Sequence, residues 1–125
     1  MNQNTVVVGV DGSEHSLIAA RWAATEAQRR DAALRVVLVY EHAWPGAQFD
    51  SPTILEARAR QVADTLVATA VAQARTAAHG IRISGTTVRG RPSEKLIEQA
   101  ENAALLVVGS RGHGGFVNLL SGSTS

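Results

Sequence analysis

Cysteine is absent from the 125 residues, which excludes disulfides, thiolate nucleophiles and cysteine metal sites. Lysine occurs once, at Lys95, so no Gly-Lys-Ser/Thr phosphate loop can form. Aromatic residues make up 4%, too few to interleave with basic ones as stacking platforms for nucleic acid. Neither sign of charge dominates: 12 basic against 11 acidic residues leave a net charge of +1, and no nucleic-acid partner is expected. No apolar run is long enough to cross a bilayer. His15, His42, His79 and His113 are scattered without the spacing of a zinc site, and no metal ligands are assigned. The opening MNQNTVVVGV has no charged region and reads as the approach to a strand, not as a secretory signal. The expectation is a single cytoplasmic domain over residues 1–125, with no membrane segment.

What the chain does have is short apolar runs separated by amphipathic segments. Alanine supplies 21 residues, more than a third of the 45% hydrophobic content. Thr5–Val10 is β-branched and apolar throughout, as a strand buried on both faces should be. Asp11-Gly12-Ser13 ends it in a turn, and Ser13 is a good helix N-cap. Leu17, Ala20, Ala24 and Ala27 then recur at helical spacing, with Trp22 beside Ile18. Leu34–Tyr40 is a second buried strand, and Glu41–Ser51 a loop. Ser51-Pro52 opens a long helix to His79 whose expected inner face is Leu55, Ala59, Val62, Leu66, Ala70, Ala74 and Ala77. Gly80 caps it. Ile81–Val88 reads as a third strand, and a short helix follows with Leu96, Ile97 and Ala100 inward. Leu105–Gly109 is a fourth strand.

Apolar strands alternating with helices predict an α/β fold, a doubly wound parallel sheet with helices on both faces. Where the strand order reverses, the C-terminal strand ends splay and leave a crevice for ligands. The pair expected there is the first strand, ending at Val10, and the fourth, ending at Val108.

The fourth strand runs into Gly109-Ser110-Arg111-Gly112, and Gly122-Ser123-Thr124-Ser125 closes the chain, a G-x2-G-x9-G-[ST] spacing. Glycines after a strand let a phosphate approach the backbone. Ser123, Thr124 and Ser125 would offer hydroxyls and N–H groups at a helix start, and Arg111 a charged contact. The same glycines serve equally well as tight turns. Asp11, at the end of the first strand, suits a ribose or base hydrogen bond, and equally a cap for the following helix. No G-x-S-x-G elbow accompanies the serines, which argues against a serine hydrolase. Arg82, Arg89 and Arg91 read most simply as a solvated basic face.

Together Val8-Gly9-Val10-Asp11-Gly12-Ser13, the Gly90-Arg91-Pro92 turn, Leu106-Val107-Val108-Gly109-Ser110-Arg111-Gly112 and the glycine spacing resemble the universal stress protein (UspA-like) family. The pattern is similar to that of the ATP-binding members, and the resemblance covers essentially the whole chain. It implies an adenine nucleotide α-hydrolase-like sheet of five strands, ordered 3-2-1-4-5, and commonly a homodimer. It implies that Asp11 contacts the nucleotide near ribose and adenine, that Val39 packs on adenine, and that Val10 and Val108 supply backbone contacts. Gly109 and Gly112 would admit ribose and phosphates; Gly122, Ser123, Thr124 and Ser125 would bind phosphates.

The function so implied is an adenine-nucleotide (ATP) binding module in stress response, with or without Mg, non-catalytic or with very slow ATP hydrolysis. Alternatives are a nucleotide-dependent enzyme of the same fold, catalysing adenylyl transfer or ATP hydrolysis, and a nucleotide-free interaction module. The family continues through a further helix and a fifth strand. A chain ending at Ser125 would leave the fourth strand as an apolar edge, so the expectation is a longer natural protein or a second chain on that edge.

Overall fold

A computed structural model describes residues 4–41 and 52–109 of the chain. Seven elements follow one another: β1 (Thr5–Val10), α1 (Glu14–Arg29), β2 (Ala33–Tyr40), α2 (Pro52–Ala77), β3 (Ile83–Arg89), α3 (Pro92–Gln99) and β4 (Leu105–Val108). The strands form one sheet in the order β3-β2-β1-β4, and every pairing is parallel. This is the expected doubly wound arrangement, with four strands among the described residues. The order turns back at β1, whose neighbours are β2 and β4.

Side chains alternate between the two faces of each strand. Val6, Val8 and Val10 of β1, Leu34, Val36 and Leu38 of β2, and Leu105 and Val107 of β4 share one core with α1 and α2. Val7, Val37 and Leu106 point the other way and are covered by Leu96 of α3 and Ala100 at its C-cap. Burial of both faces explains why the strands are apolar runs with no polar alternation. Each fully buried valine or leucine contributes about 1.5–3 kcal/mol.

The inner faces of the helices differ from the periodicity reading. In α1, Ser16, Ala19, Ala20, Ala23, Ala24 and Ala27 are buried, while Leu17 is only partly so. In α2 the buried stripe is Ala59, Ala63, Val67, Ala70 and Ala74, continued by Ala78 just past its end, and Val62 is 48% exposed. Alanine lets a helix lie close to the sheet, so the contact stripe is centred on the smallest residues, not the largest. In α3, Ile97 faces outward and is 58% exposed, because the short helix presents to the sheet only the narrow stripe through Leu96, continued by its C-cap residue Ala100. The third strand begins at Ile83 rather than Ile81, since its register opposite Leu34 starts there, and it runs on to Arg89 opposite Tyr40.

Among the described residues no helix is long and apolar enough to cross a membrane. No group of histidines and carboxylates there could hold a metal ion.

Candidate functional site

The turn after β1 is held by its own polar groups. The Ser13 N–H donates to Asp11 Oδ1 at 2.9 Å. Ser13 is the N-cap of α1: its Oγ accepts the Ser16 N–H at 3.1 Å, and Ser16 Oγ donates back to the Ser13 carbonyl at 2.8 Å. Gly12 makes the turn possible at φ +87°, with both Leu66 δ-methyls 3.0 Å from where a Cβ would stand. The capping reading of Asp11 therefore describes one of its contacts. Its carboxylate is also exposed at the C-terminal end of β1.

A cavity of about 210 Å³ opens at that end, where β1 and β4 lie side by side. Gly9 and Val10 of β1, the following Asp11, Val39 of β2, Val108 of β4 and the following Gly109 line it. Pro92 and Leu96 of α3 close it from the opposite layer. Its walls are apolar side chains and strand backbone, and among the described residues Asp11 is the one ionisable residue lining it. Such a slot accepts a flat, largely apolar ring, with polar recognition confined to its mouth.

Val10, Asp11, Val39, Val108 and Gly109, all named from the sequence, are brought together around this cavity. Arg111, Gly112, Gly122, Ser123, Thr124 and Ser125 lie outside the described residues, as do His42, Trp44 and His113. Gly9 and Pro92, named in the sequence motifs, and Leu96, expected to face inward, also line the cavity, though the sequence gives them no site role. A glycine inside a β-branched strand was the available signal, since it marks close approach by another element.

A second cavity, of about 310 Å³, borders Glu41, Arg89, Gly90 and Arg91 at the ends of β2 and β3. Beside it Arg89 pairs with Glu56 at 2.6 Å, and the Tyr40 hydroxyl donates to the same carboxylate at 3.4 Å. Burial pushes the Tyr40 phenol up, and the charge of Glu56 adds to the shift. Arg82 is not part of this group. It lies at the other end of the sheet with Arg35 and Asp31, along a polar cleft of about 550 Å³. The presumed basic face is thus split between opposite ends of β3. The larger cleft borders the N-terminal strand ends, away from the reversal of strand order where open α/β sheets take ligands.

A model of the universal stress protein family matches residues 3–125. The chain belongs to the universal stress protein family. It is 37% identical over 122 residues to universal stress protein Rv2623 of Mycobacterium tuberculosis, a match covering 97% of this chain and 40% of that protein. Universal stress protein Rv2005c of the same organism is 35% identical over 121 residues, covering 96% and 40%. The chain thus spans about 40% of the length of these relatives. Among solved structures, a universal stress protein in complex with cAMP superposes with a TM-score of 0.69 at 28% identity, over 90% of this chain and 80% of the other. A family member from Burkholderia pseudomallei gives a TM-score of 0.69 at 25% identity, over 86% and 82%. The parallel sheet and its strand order are those of a universal stress protein domain.

Proposed function

We propose that the slot between β1 and β4 binds the adenosine part of an adenine nucleotide, ATP first among them. The observation that carries this reading is the convergence of Val10, Asp11, Val39, Val108 and Gly109 on one apolar cavity at the strand reversal. The cAMP complex of a structural neighbour supports the same ligand class. In this reading Val39 packs on the base, Asp11 accepts hydrogen bonds from ribose or base, and Gly109 admits the sugar. Arg111, Gly112, Gly122, Ser123, Thr124 and Ser125 hold the phosphates, with or without Mg. The bound nucleotide then serves as a signal in stress response, in a cytoplasmic homodimer.

Hydrolysis is expected to be very slow. Phosphoryl transfer needs a placed nucleophile and concentrated positive charge at the γ-phosphate. The glycine motif offers Arg111 alone, and the single lysine, Lys95, lies in α3. A turnover near 1 s⁻¹ would instead place the protein among enzymes.

Thermal unfolding with ATP-Mg, cAMP and GTP tests the reading. ATP at about a hundred times its dissociation constant should add roughly 2.7 kcal/mol of stability. No shift at millimolar ATP or cAMP would refute it.

A further inference from the structure

We infer that Leu96 is the residue that sets which bases the slot admits, and that Gly9 holds it in place. The inference rests on the nucleotide reading of the same cavity. Leu96 projects from α3 onto β1 and lines the slot together with Pro92. It reaches so deep because β1 has no side chain at the point of contact. A Cβ on Gly9 would lie 2.9 Å from both Leu96 δ-methyls, closer than such atoms approach. The glycine thus acts as a socket for the leucine. Leu96 packs against the cluster of Val7, Val37 and Leu106, which Val39 and Val108 also join.

Side-chain recognition in the slot is by shape. The side chains of Val39, Val108, Pro92 and Leu96 carry no hydrogen-bonding group, and Asp11 lines the slot beside them. An apolar pocket discriminates by size, at about 10–200-fold for a misfitting methylene-sized group. Among its walls, Val39 and Val108 are strand residues whose backbones are locked in the ladder, and Pro92 is held by its ring at the start of α3. Leu96 is the long, rotatable wall, so its tip decides how much room remains beside the ring.

The test uses wild type, Leu96→Ala, Gly9→Ala and the Gly9→Ala/Leu96→Ala double variant of the 125-residue chain. Affinity is measured by calorimetry for ATP, cAMP and ATP analogues enlarged at C2, N6 or C8 of the base. Leu96→Ala removes Cγ and both δ-methyls from the wall. It should raise affinity for at least one enlarged analogue about tenfold or more relative to ATP. Gly9→Ala should push the leucine tip into the slot and weaken ATP and cAMP about tenfold. Truncating Leu96 in that background should restore most of the loss. A general loosening of the fold would change all ligands alike and would show no such rescue.

Unchanged analogue-to-ATP ratios in Leu96→Ala, with wild type binding ATP, would overturn the inference and leave the nucleotide reading standing. An additive double variant would overturn the role of Gly9. If wild type binds no adenine nucleotide, both the inference and the reading it rests on fall. Circular dichroism of each variant confirms folding. Should Gly9→Ala fail to fold, the analogue ratios of Leu96→Ala alone decide.

Discussion

The backbone of Gly109 lies against the carbonyl of His15: a Cβ on Gly109 would stand 2.9 Å from that oxygen and 2.9 Å from Ala19 Cβ. The first turn of α1 therefore rests directly on the end of β4. The contact is with backbone, which cannot rotate aside as a side-chain tip can. Gly109→Ala is expected to cost about 1–3 kcal/mol, the usual range for overpacking. It should also lift the Asp11–Ser13 turn away from the slot and weaken ATP binding. Urea unfolding and calorimetry measure the two effects separately. A variant of wild-type stability would show that α1 yields at this point.

A second expectation concerns the end of α1. The Ala32 N–H donates to the Ala27 carbonyl at 2.8 Å and the Asp31 N–H to the Gln28 carbonyl at 3.1 Å, the two bonds of a Schellman cap. Its left-handed position is held by Asp31 at φ +58°, where glycine is usual. Asp31→Gly should stabilise the chain by about 0.5–1 kcal/mol, the relieved strain exceeding the entropy glycine adds to the unfolded state. A rise in Tm without a change in denaturant m-value is the expected result.

Glu26 links pH to stability. Hydrogen bonds from Arg29, then Arg30, hold its carboxyl below the usual carboxylate range. The bonds are 2.5 Å to Arg29 Nη2 and 2.7 Å to Arg30 Nε. A lowered folded-state pKa stabilises above the unfolded carboxylate pKa, and that gain is lost as pH falls through the folded value. The arginines are 69% and 38% exposed, so solvent screening keeps the contribution under about 1 kcal/mol. Glu26→Gln should lower stability by that much at pH 7, less at high salt. The difference from wild type should vanish once pH drops below the folded carboxyl's range.

The phosphate side of the proposed site is tested through the glycine motif. Gly112→Val or Gly122→Val should remove most ATP affinity and leave the fold intact, because a branched side chain occupies space the phosphates need. Calorimetry with ATP and with adenosine separates the contributions. Adenosine should bind the variants as it binds wild type if the motif holds only phosphates. Wild-type ATP affinity in a folded Gly112→Val variant would remove the motif from the site.

Some of this was legible in the residues and some was not. Val6, Val7 and Val8 are apolar on both sides of the backbone, so β1 declared itself as a central strand. The strand reversal placed Val10 beside Val108 before any coordinates. Leu96 gave no such notice. Its place in the slot depends on how α3 crosses the sheet, and nothing in Pro92–Gln99 alone records the crossing. The phase of α2 is legible at Ala59, Ala70 and Ala74 but not at Val62: Val62 is the more hydrophobic residue, yet Ala63 faces the sheet, because tertiary spacing favours the smaller one. Asp31 carries no glycine to mark its turn, so the left-handed cap was invisible.

The alanine face of α1 has a mechanical consequence. Ala19, Ala20, Ala23, Ala24 and Ala27 have no side-chain torsions, so the helix side of this joint adds few rotamers to rearrange. Ordering these alanines costs no side-chain entropy, and they offer no alternative packing on warming. The helix behaves as a welded bracket, carrying the Asp11–Ser13 turn at one end at a fixed height over β1 and β4. Of the described walls, the α3 side, where Leu96 carries rotatable bonds, is then the one expected to move for ligand entry. Temperature should accordingly broaden methyl signals of Leu96 well before those of Ala19 and Ala23.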